Sequence, residues 1–250
     1  MRKFGLIGYP LGHSFSKNYF TEKFLREHID GCSYENFPLP DLRLLPDLLS
    51  GEPYLRGLNV TIPYKSEIFA FIDNIDTEAI EIGAVNVLKI KHSGDKIQLS
   101  GYNSDVTGIS DSLSPYLSGN IKNAIVLGTG GSSRAVCYVL KKLGINILQV
   151  SRHKKPGILD YSEINEEIMM KAGLIVNTTP LGMFPHTETR PGINYSLVTQ
   201  NHILFDLVYN PELTFFLRSG MERGCSVITG LKMLHSQAEK AWQIWNDESL

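Results

Sequence analysis

Three polar side chains early in the chain have the chemistry to bind or protonate an anionic organic molecule. Ser14 and Ser16 are hydroxyl donors one residue apart, and such a pair beside a turn can hold a carboxylate. The same pair could instead form a turn that caps the following helix. Lys65 follows Pro63, whose ring suits the first turn of a helix. Because the helix dipole there disfavours a cation by about 0.3–1 kcal/mol, a role as proton donor would explain the lysine.

Asp105 has two interpretations. As a catalytic residue, its carboxylate would hold an ammonium group and accept a hydrogen bond from a substrate hydroxyl. It also precedes the sequence Val-Thr-Gly-Ile, where an aspartate is a good N-cap for a helix. The sequence leaves both interpretations open.

A glycine-rich loop follows an apolar segment that ends at Leu127. Gly128 permits a tight turn, and Gly130 lets backbone N–H groups approach a pyrophosphate at the start of the next helix. Ser133 occupies the third small position of the usual GxGxxG/A pattern, which is a mild departure. A plain tight turn is the alternative, but a strand before and a helix after the glycines favour a dinucleotide site.

The end of the next apolar segment indicates which dinucleotide binds. NAD-binding proteins carry an acidic residue there that bonds the ribose 2′-OH. Here the segment ends in Ser151-Arg152-His153-Lys154-Lys155, without an acid. Arg152 can bond a 2′-phosphate in forked geometry and stack on adenine, which favours NADP. The alternative is a solvated basic turn.

Short apolar segments that alternate with helical patterns indicate an α/β protein. The segments after residue 105 lack polar alternation, as expected of a parallel sheet covered on both faces. Strands are predicted over 4–7, 57–60, 85–91, 96–100, 123–127, 145–150, 174–177 and 203–207. Helices are predicted over 17–28, after Pro63, and over 134–143 and 231–245. Ser93-Gly94-Asp95 predicts a hairpin turn.

Composition excludes several classes of protein. The 24 Lys and Arg residues against 26 Asp and Glu leave a net charge of −2, which argues against capture of nucleic acid or an anionic membrane. The apolar runs fall far short of the roughly 20 residues of a membrane span, and the apolar core of residues 1–10, which Gly and Pro interrupt, is too short to predict a signal peptide. Cys32, Cys137 and Cys225 have no CxxC spacing, so neither a disulfide framework nor a metal site is expected. A cytoplasmic protein, monomeric or homodimeric, is predicted.

Seven clusters of glycine and polar residues run through the chain in a fixed order. They are 8–16 (GYPLGHSFS), 57–65 (GLNVTIPYK), 83–86 (GAVN), 101–105 (GYNSD), 177–183 (NTTPLGM), 206–211 (DLVYNP) and 230–237 (GLKMLHSQ). In this order and at these intervals the chain resembles the shikimate dehydrogenases from Phe4 to about Trp245. The resemblance implies a two-lobe α/β fold, with a substrate-binding lobe of residues 1–104 and 230–250 and an inserted NADP-binding Rossmann lobe of residues 105–229.

The family reversibly reduces 3-dehydroshikimate to shikimate with NADPH, on the route to the aromatic amino acids. The resemblance implies that Lys65 and Asp105 are the catalytic pair, and that Ser14 and Ser16 bind the substrate carboxylate. Further implied substrate ligands are Thr61, Asn86, Tyr209 and Gln237. Implied cofactor-binding positions are Gly128, Thr129, Gly130, Gly131, Ser132, Ser151, Arg152, Thr178, Leu207 and Gly230.

The chain departs from the family pattern in three places. Lys17 and Tyr19-Phe20 replace the usual Pro and His-Asn, Ser104 replaces a common Thr, and Ser151-Arg152-His153 replaces Asn-Arg-Thr. The first change affects helix entry, and the last weakens the expectation of strict NADP preference.

Three alternatives stay open. The chain could be a quinate/shikimate dehydrogenase with dual cofactor use, a methylenetetrahydrofolate dehydrogenase, or a non-catalytic NADP-sensing relative. The folate enzyme would leave the two serines unexplained, and a silent relative would be expected to lose Lys65 or Asp105 first.

Overall fold

A computed structural model describes residues 1–11, 15–94, 96–117 and 121–249. The chain divides into two compact units, one of Met1–Ser104 with Ala238–Leu250 and one of Asp105–Gln237. The sequence predicts that the chain returns to the first unit at residue 230, whereas it returns at Ala238. The difference arises because the last helix begins within the second unit. In the second unit this helix packs closely on the segment of Gly108, because a Cβ added to Gly108 would lie 2.5 Å from the carbonyl oxygen of Met233.

The first unit contains a six-stranded sheet in the order β2-β1-β3-β5-β6-β4. Its strands are β1 (Arg2–Gly8), β2 (Cys32–Pro38), β3 (Leu55–Val60), β4 (Asn74–Ile75), β5 (Val87–Ser93) and β6 (Lys96–Tyr102). Strands β1, β2 and β3 are mutually parallel, while β5 is antiparallel to both β3 and β6. Therefore β1 and β3 end, and β5 begins, at one edge of the sheet. The predicted hairpin between β5 and β6 is confirmed.

The helices of this unit are α1 (Phe15–Arg26), α2 (Leu45–Gly51) and α3 (Thr77–Ile82). The prediction of a helix starting at Pro63 is wrong, because the chain forms a turn there and then a 3-10 helix, Glu67–Phe71. The backbone explains this. The carbonyl of Lys65 accepts a hydrogen bond from the Val85 amide at 2.7 Å. This carbonyl is therefore directed toward Val85 and not toward a backbone amide one turn further along a helix.

The last helix, α8 (Gly230–Asn246), ends in the core of the first unit. Trp245 stacks on Phe4 with ring centroids 4.8 Å apart, and its Nε1 donates to the carbonyl of Leu88 at 3.0 Å. A Cβ on Gly57 would lie 2.2 Å from that Nε1. Gly57 thus leaves the space in β3 that the indole ring occupies.

The second unit contains a parallel six-stranded sheet in the order β12-β11-β10-β7-β8-β9. Its strands are β7 (Asn123–Leu127), β8 (Asn146–Ser151), β9 (Leu159–Asp160), β10 (Leu174–Asn177), β11 (Ile203–Asp206) and β12 (Ser226–Ile228). Its own helices are α4 (Asp105–Leu113), α5 (Gly131–Lys142), α6 (Glu166–Lys171) and α7 (Phe215–Met221). The predicted α/β class with a buried parallel sheet is confirmed.

Cys32, Cys137 and Cys225 are free, and Cys225 is buried. Among the described residues, no helix combines the length and apolar character needed to cross a membrane.

Candidate active site

Two predicted substrate ligands of the first unit, and the predicted catalytic Lys65, lie next to strand ends at the same sheet edge. Thr61 comes directly after β3, and Asn86 directly before β5. The backbone amide of Val60 donates to the carbonyl of Asn86 at 2.8 Å, and the amide of Val85 donates to the carbonyl of Lys65 at 2.7 Å. The sheet therefore brings the segments of Thr61, Lys65 and Asn86 together at one edge.

Asn86 is only 3% exposed, and its side-chain amide is held by Ser104. Oδ1 of Asn86 accepts from the Ser104 backbone amide at 2.7 Å, and Nδ2 donates to the Ser104 hydroxyl at 3.1 Å. These bonds fix the orientation of the amide. Since serine keeps the hydroxyl of the common threonine, this departure from the family pattern preserves the contact.

Ser14 lies outside the described residues, whereas Ser16 is the second residue of α1 and is half-buried. Burial raises the pKa of Tyr34, and a hydrogen bond with the Ser16 side chain opposes that rise. The Tyr34 hydroxyl donates to Oδ1 of Asn59 at 2.8 Å, and Nδ2 of Asn59 lies 3.4 Å from the carbonyl oxygen of Asn86. Tyr34 and Asn59, which sequence reasoning missed, thus connect Ser16 to the segment of Asn86.

The two predicted catalytic residues fall in different units. Lys65 is half-buried in the turn after β3, so the argument from a helix dipole does not apply to it. Asp105 is fully buried and is the first residue of α4. The residue that precedes this helix is Ser104 rather than Asp105, so the N-cap interpretation gives way to a carboxylate within the first turn, where the helix dipole stabilises a negative charge.

The glycine loop of the second unit has the geometry that an anion needs. Gly128 has a φ of +117°, in the left-handed region that favours glycine. Gly130 is exposed, and no atom lies within 4 Å of where its Cβ would be. It is the N-cap of α5, and it has no side chain with which to cap the first-turn amides itself. This open cradle at a helix N-terminus fits a dinucleotide pyrophosphate.

Ser133, the departure from the glycine pattern, is fully buried and fully bonded. Its Oγ donates to the carbonyl of Gly128 at 2.8 Å and accepts from Nε2 of Gln149 at 2.8 Å. Nε2 of Gln149 also donates to the Gly128 carbonyl at 3.0 Å. Gln149 was missed from the sequence, although a glutamine within an apolar strand segment was a signal. Both side chains fix the turn at Gly128.

The predicted adenine end lies after β8. Ser151 ends that strand, and Arg152 is exposed. Lys154 is bound to Glu163. Asp160, opposite Ser151 in the sheet, accepts from the amide of Ser162 and so caps a 3-10 helix. Arg152 is therefore an exposed cation directly after β8.

The other predicted cofactor residues lie at the same carboxyl edge. The amide and hydroxyl of Thr178 donate to the carbonyl of Leu127 at 2.9 and 2.7 Å. A Cβ on Gly230 would lie 2.5 Å from the carbonyl oxygen of Leu207, so the start of α8 rests directly on the segment after β11. The ends of β7, β10 and β11 thus bring Thr178, Leu207 and Gly230 to the edge that carries the glycine loop, which begins at Gly128.

Tyr209 and Gln237, predicted on the substrate side, belong to the second unit. Tyr209 is half-buried in the loop after β11, and Gln237 is half-buried on α8. Ser16, Thr61 and Asn86 belong to the first unit. The predicted substrate ligands are thus contributed by both units.

Comparisons with known proteins identify the relatives of this chain. Residues 6–88 match the family described as the shikimate dehydrogenase substrate binding domain. A shikimate dehydrogenase (NADP(+)) from Methanococcus aeolicus is 35% identical over 259 residues, which cover 96% of this chain and 90% of the relative. The crystal structure of shikimate dehydrogenase from Aquifex aeolicus has a TM-score of 0.86 at 31% identity, covering 100% of this chain and 94% of that one.

A third comparison includes bound ligands. The shikimate 5-dehydrogenase from Thermus thermophilus, solved in complex with NADP(H) and shikimate, has a TM-score of 0.85 at 30% identity. It matches over 98% of this chain and 94% of its own. With relatives at this identity aligned over nearly its whole length, the chain belongs to the shikimate dehydrogenase family.

Proposed function

We propose that this chain catalyses the reversible NADPH-dependent reduction of 3-dehydroshikimate to shikimate, as an oxidoreductase acting on a CH–OH group. The observation that carries the proposal is the glycine loop of Gly128 and Gly130 at the N-terminus of α5. This loop occurs in a chain whose other unit presents Thr61, Lys65 and Asn86 at one sheet edge.

The cofactor of the proposal is NADP(H). First-turn amides of α5 would bind its pyrophosphate, and Ser151 with Arg152 would bind the 2′-phosphate. Thr178, Leu207 and Gly230 would lie against the nicotinamide. When bound, NADPH supplies a hydride to the C3 carbonyl carbon of the substrate.

The side chains of the protein bind the substrate and supply the proton that its C3 oxygen takes up. Ser14 and Ser16 donate to the carboxylate, while Thr61, Asn86, Tyr209 and Gln237 bind the ring hydroxyls. Nζ of Lys65 donates a proton to the forming alkoxide oxygen, and its positive charge stabilises that oxygen in the transition state. In the reverse direction Lys65 accepts the proton. The carboxylate of Asp105 accepts a hydrogen bond from the same hydroxyl.

The proposal also places the protein in the cytoplasm, as a monomer or homodimer that acts on a small molecule without a nucleic-acid or membrane partner. The net charge of −2 supports only the last part, because such a chain would not be attracted electrostatically to nucleic acid or to an anionic membrane.

The decisive experiment is NADP⁺ reduction, followed by NADPH absorbance, with shikimate as the sole second substrate. We expect turnover with this pair to exceed turnover with quinate or with NAD⁺. Comparable rates with quinate and NAD⁺ would favour the dual-cofactor enzyme instead. NADPH binding without any turnover would favour the non-catalytic relative, and the proposal would then fail.

A further inference from the structure

The loop of residues 207–214, which joins β11 to α7, is bound at both ends by one carboxylate. Asp206 is fully buried at the end of β11. Its Oδ1 accepts from the backbone amide of Val208 at 3.0 Å, and its Oδ2 accepts from the hydroxyl of Thr214 at 2.6 Å. Thr214 is the N-cap of α7 and is itself fully buried. Asp206 therefore fixes both the start and the end of the 207–214 loop.

The same carboxylate connects this loop to the one that follows the neighbouring strand. Asn177 pairs with Asp206 in the register of β10 and β11, and its Nδ2 donates to Oδ1 of Asp206 at 2.9 Å. Oδ1 of Asn177 accepts from the amide and the hydroxyl of Thr179 at 3.0 and 2.7 Å. Two loops at the carboxyl edge of the sheet are thus joined through Asn177 and Asp206.

The 207–214 loop carries residues that the proposed function uses. A Cβ on Gly230 would lie 2.5 Å from the Leu207 carbonyl oxygen and 2.7 Å from that of Val208. Tyr209 follows immediately. Leu207 and Tyr209 lie two residues apart in this loop, so a displacement of the loop would move both. It would also alter the close packing of the loop on α8.

A buried carboxylate is an unusual way to hold a loop. Desolvation offsets much of what its hydrogen bonds contribute, so the net gain in stability is small. Burial raises the pKa of Asp206 to about 7, although the hydrogen bonds from Thr214, Val208 and Asn177 all lower it. Three donors that converge on one buried carboxylate instead hold the 207–214 loop in a single geometry.

We infer that Asp206 is a positioning residue, whose carboxylate holds Leu207 and Tyr209 in place for the nicotinamide end of the cofactor and for the substrate. Asp206 acts through the backbone of the 207–214 loop and takes no part in proton transfer. This inference rests on the proposed function and adds to it a residue outside the predicted site.

The test compares Asp206→Ala with Asp206→Asn. The asparagine keeps an oxygen for the Val208 and Asn177 donors, and its amide can donate to the Thr214 hydroxyl, whereas alanine removes all three bonds. We expect Asp206→Ala to lower kcat about 100-fold, the scale of a misplacement of about 1 Å. Asp206→Asn should retain most of the activity.

Two further readouts do not depend on turnover. In Asp206→Ala the Kd for NADPH should rise, while the Kd for 2′,5′-ADP, which lacks the nicotinamide, should stay constant. Amide hydrogen exchange across the 207–214 loop should accelerate in Asp206→Ala and stay slow in Asp206→Asn. An absence of shikimate turnover in the wild type would defeat the proposed function, while these two readouts would still decide the inference.

A second variant covers the case in which Asp206→Ala does not fold. Thr214→Val removes the bond at the end of the loop together with the N-cap of α7. Its matched control is Asn165→Ala, which removes the N-cap of α6 and leaves the loop intact. Only Thr214→Val should lower kcat and NADPH affinity. Unchanged kcat and NADPH affinity in the folded Asp206→Ala, or in Thr214→Val, would overturn the inference, and so would equal losses in Asp206→Ala and Asp206→Asn.

Discussion

A Cβ on Gly128 would lie 2.4 Å from Oγ1 of Thr178, the residue that directly follows β10. Gly130, two residues further on, has no atom within 4 Å of its Cβ position and has φ and ψ of −78° and −176°, which any residue adopts. The two glycines therefore meet different requirements. Gly128 is needed for the loop to fold, whereas in the proposed function Gly130 is needed for the pyrophosphate to approach.

The first prediction separates these requirements. Gly130→Ala should unfold at the same denaturant concentration as the wild type but bind NADPH at least about tenfold more weakly, since the methyl group occupies the phosphate approach. Gly128→Ala should lose about 1–3 kcal/mol of unfolding free energy, because a left-handed φ and a close contact both strain the alanine. Titration with NADPH measures the affinity of Gly130→Ala, and urea unfolding measures the stability of both variants. Unaltered NADPH affinity in Gly130→Ala would mean that no pyrophosphate approaches this glycine.

The second prediction concerns Lys65. Lys65→Ala should lower kcat by about 10²–10⁴-fold, the usual contribution of a positioned acid–base group, with little change in shikimate binding. Lys122→Ala, at an exposed lysine just before β7, serves as the control and should turn over normally. If Lys65→Ala retained full turnover, the proton would have to come from another group.

The third prediction concerns Asp105. Asp105→Asn keeps the shape of the side chain but removes its charge, so turnover should fall if the carboxylate accepts a hydrogen bond from the reacting hydroxyl. Circular dichroism and the unfolding midpoint check that α4 persists. Normal rates in this variant would remove Asp105 from the proposed mechanism and leave it a structural role at the N-terminus of the helix.

The fourth prediction tests cofactor choice at the end of β8. Arg152→Ala should weaken NADPH binding much more than NADH binding, because only NADPH carries a 2′-phosphate. Lys154→Ala is the matched control, since that neighbouring lysine is bound to Glu163 and should not alter the ratio of the two affinities. A proportional loss of both cofactors in Arg152→Ala would assign the arginine to adenine stacking.

The sequence predicts some elements much better than others. The strands over 123–127 and 174–177 were predicted with the bounds observed, because uninterrupted apolar runs mark buried parallel strands. Strand β2 was missed, since its sequence, CSYENFP, mixes polar residues into a partly buried edge strand. The helix predicted at Pro63 failed because Val85, distant in sequence, binds the carbonyl of Lys65.

In the candidate site too, features set by local sequence are predicted and features set by distant residues are missed. Glycine spacing indicates the cofactor loop because its function depends on local backbone geometry. The side chains that hold the loops in place, such as Gln149, Asp206 and Thr214, bind through hydrogen bonds to residues on other segments. No local pattern encodes such pairings, so only the register of the strands reveals them.

The last prediction follows from the buried state of Asp206. Burial, opposed by hydrogen bonds from Thr214, Val208 and Asn177, raises its pKa from 3.8 to about 7. The folded protein therefore binds this proton more tightly than the unfolded chain does. The resulting contribution to stability is complete below about pH 4 and is lost as the pH rises through about 7. Tyr195 interacts electrostatically with Asp206, but burial raises the pKa of Tyr195 as well, so it keeps its proton throughout this range.

Urea unfolding from pH 4 to pH 8 would measure this contribution as the difference in unfolding free energy between the wild type and Asp206→Asn, which should decline as the pH rises. Asp160→Asn provides a control of opposite sign. Hydrogen bonds from Ser162 lower the pKa of Asp160, so its contribution is present at neutral pH and is lost in acid. Parallel stability curves for the wild type and Asp206→Asn would mean that Asp206 stays ionised across the range, with its three donors outweighing the cost of burial.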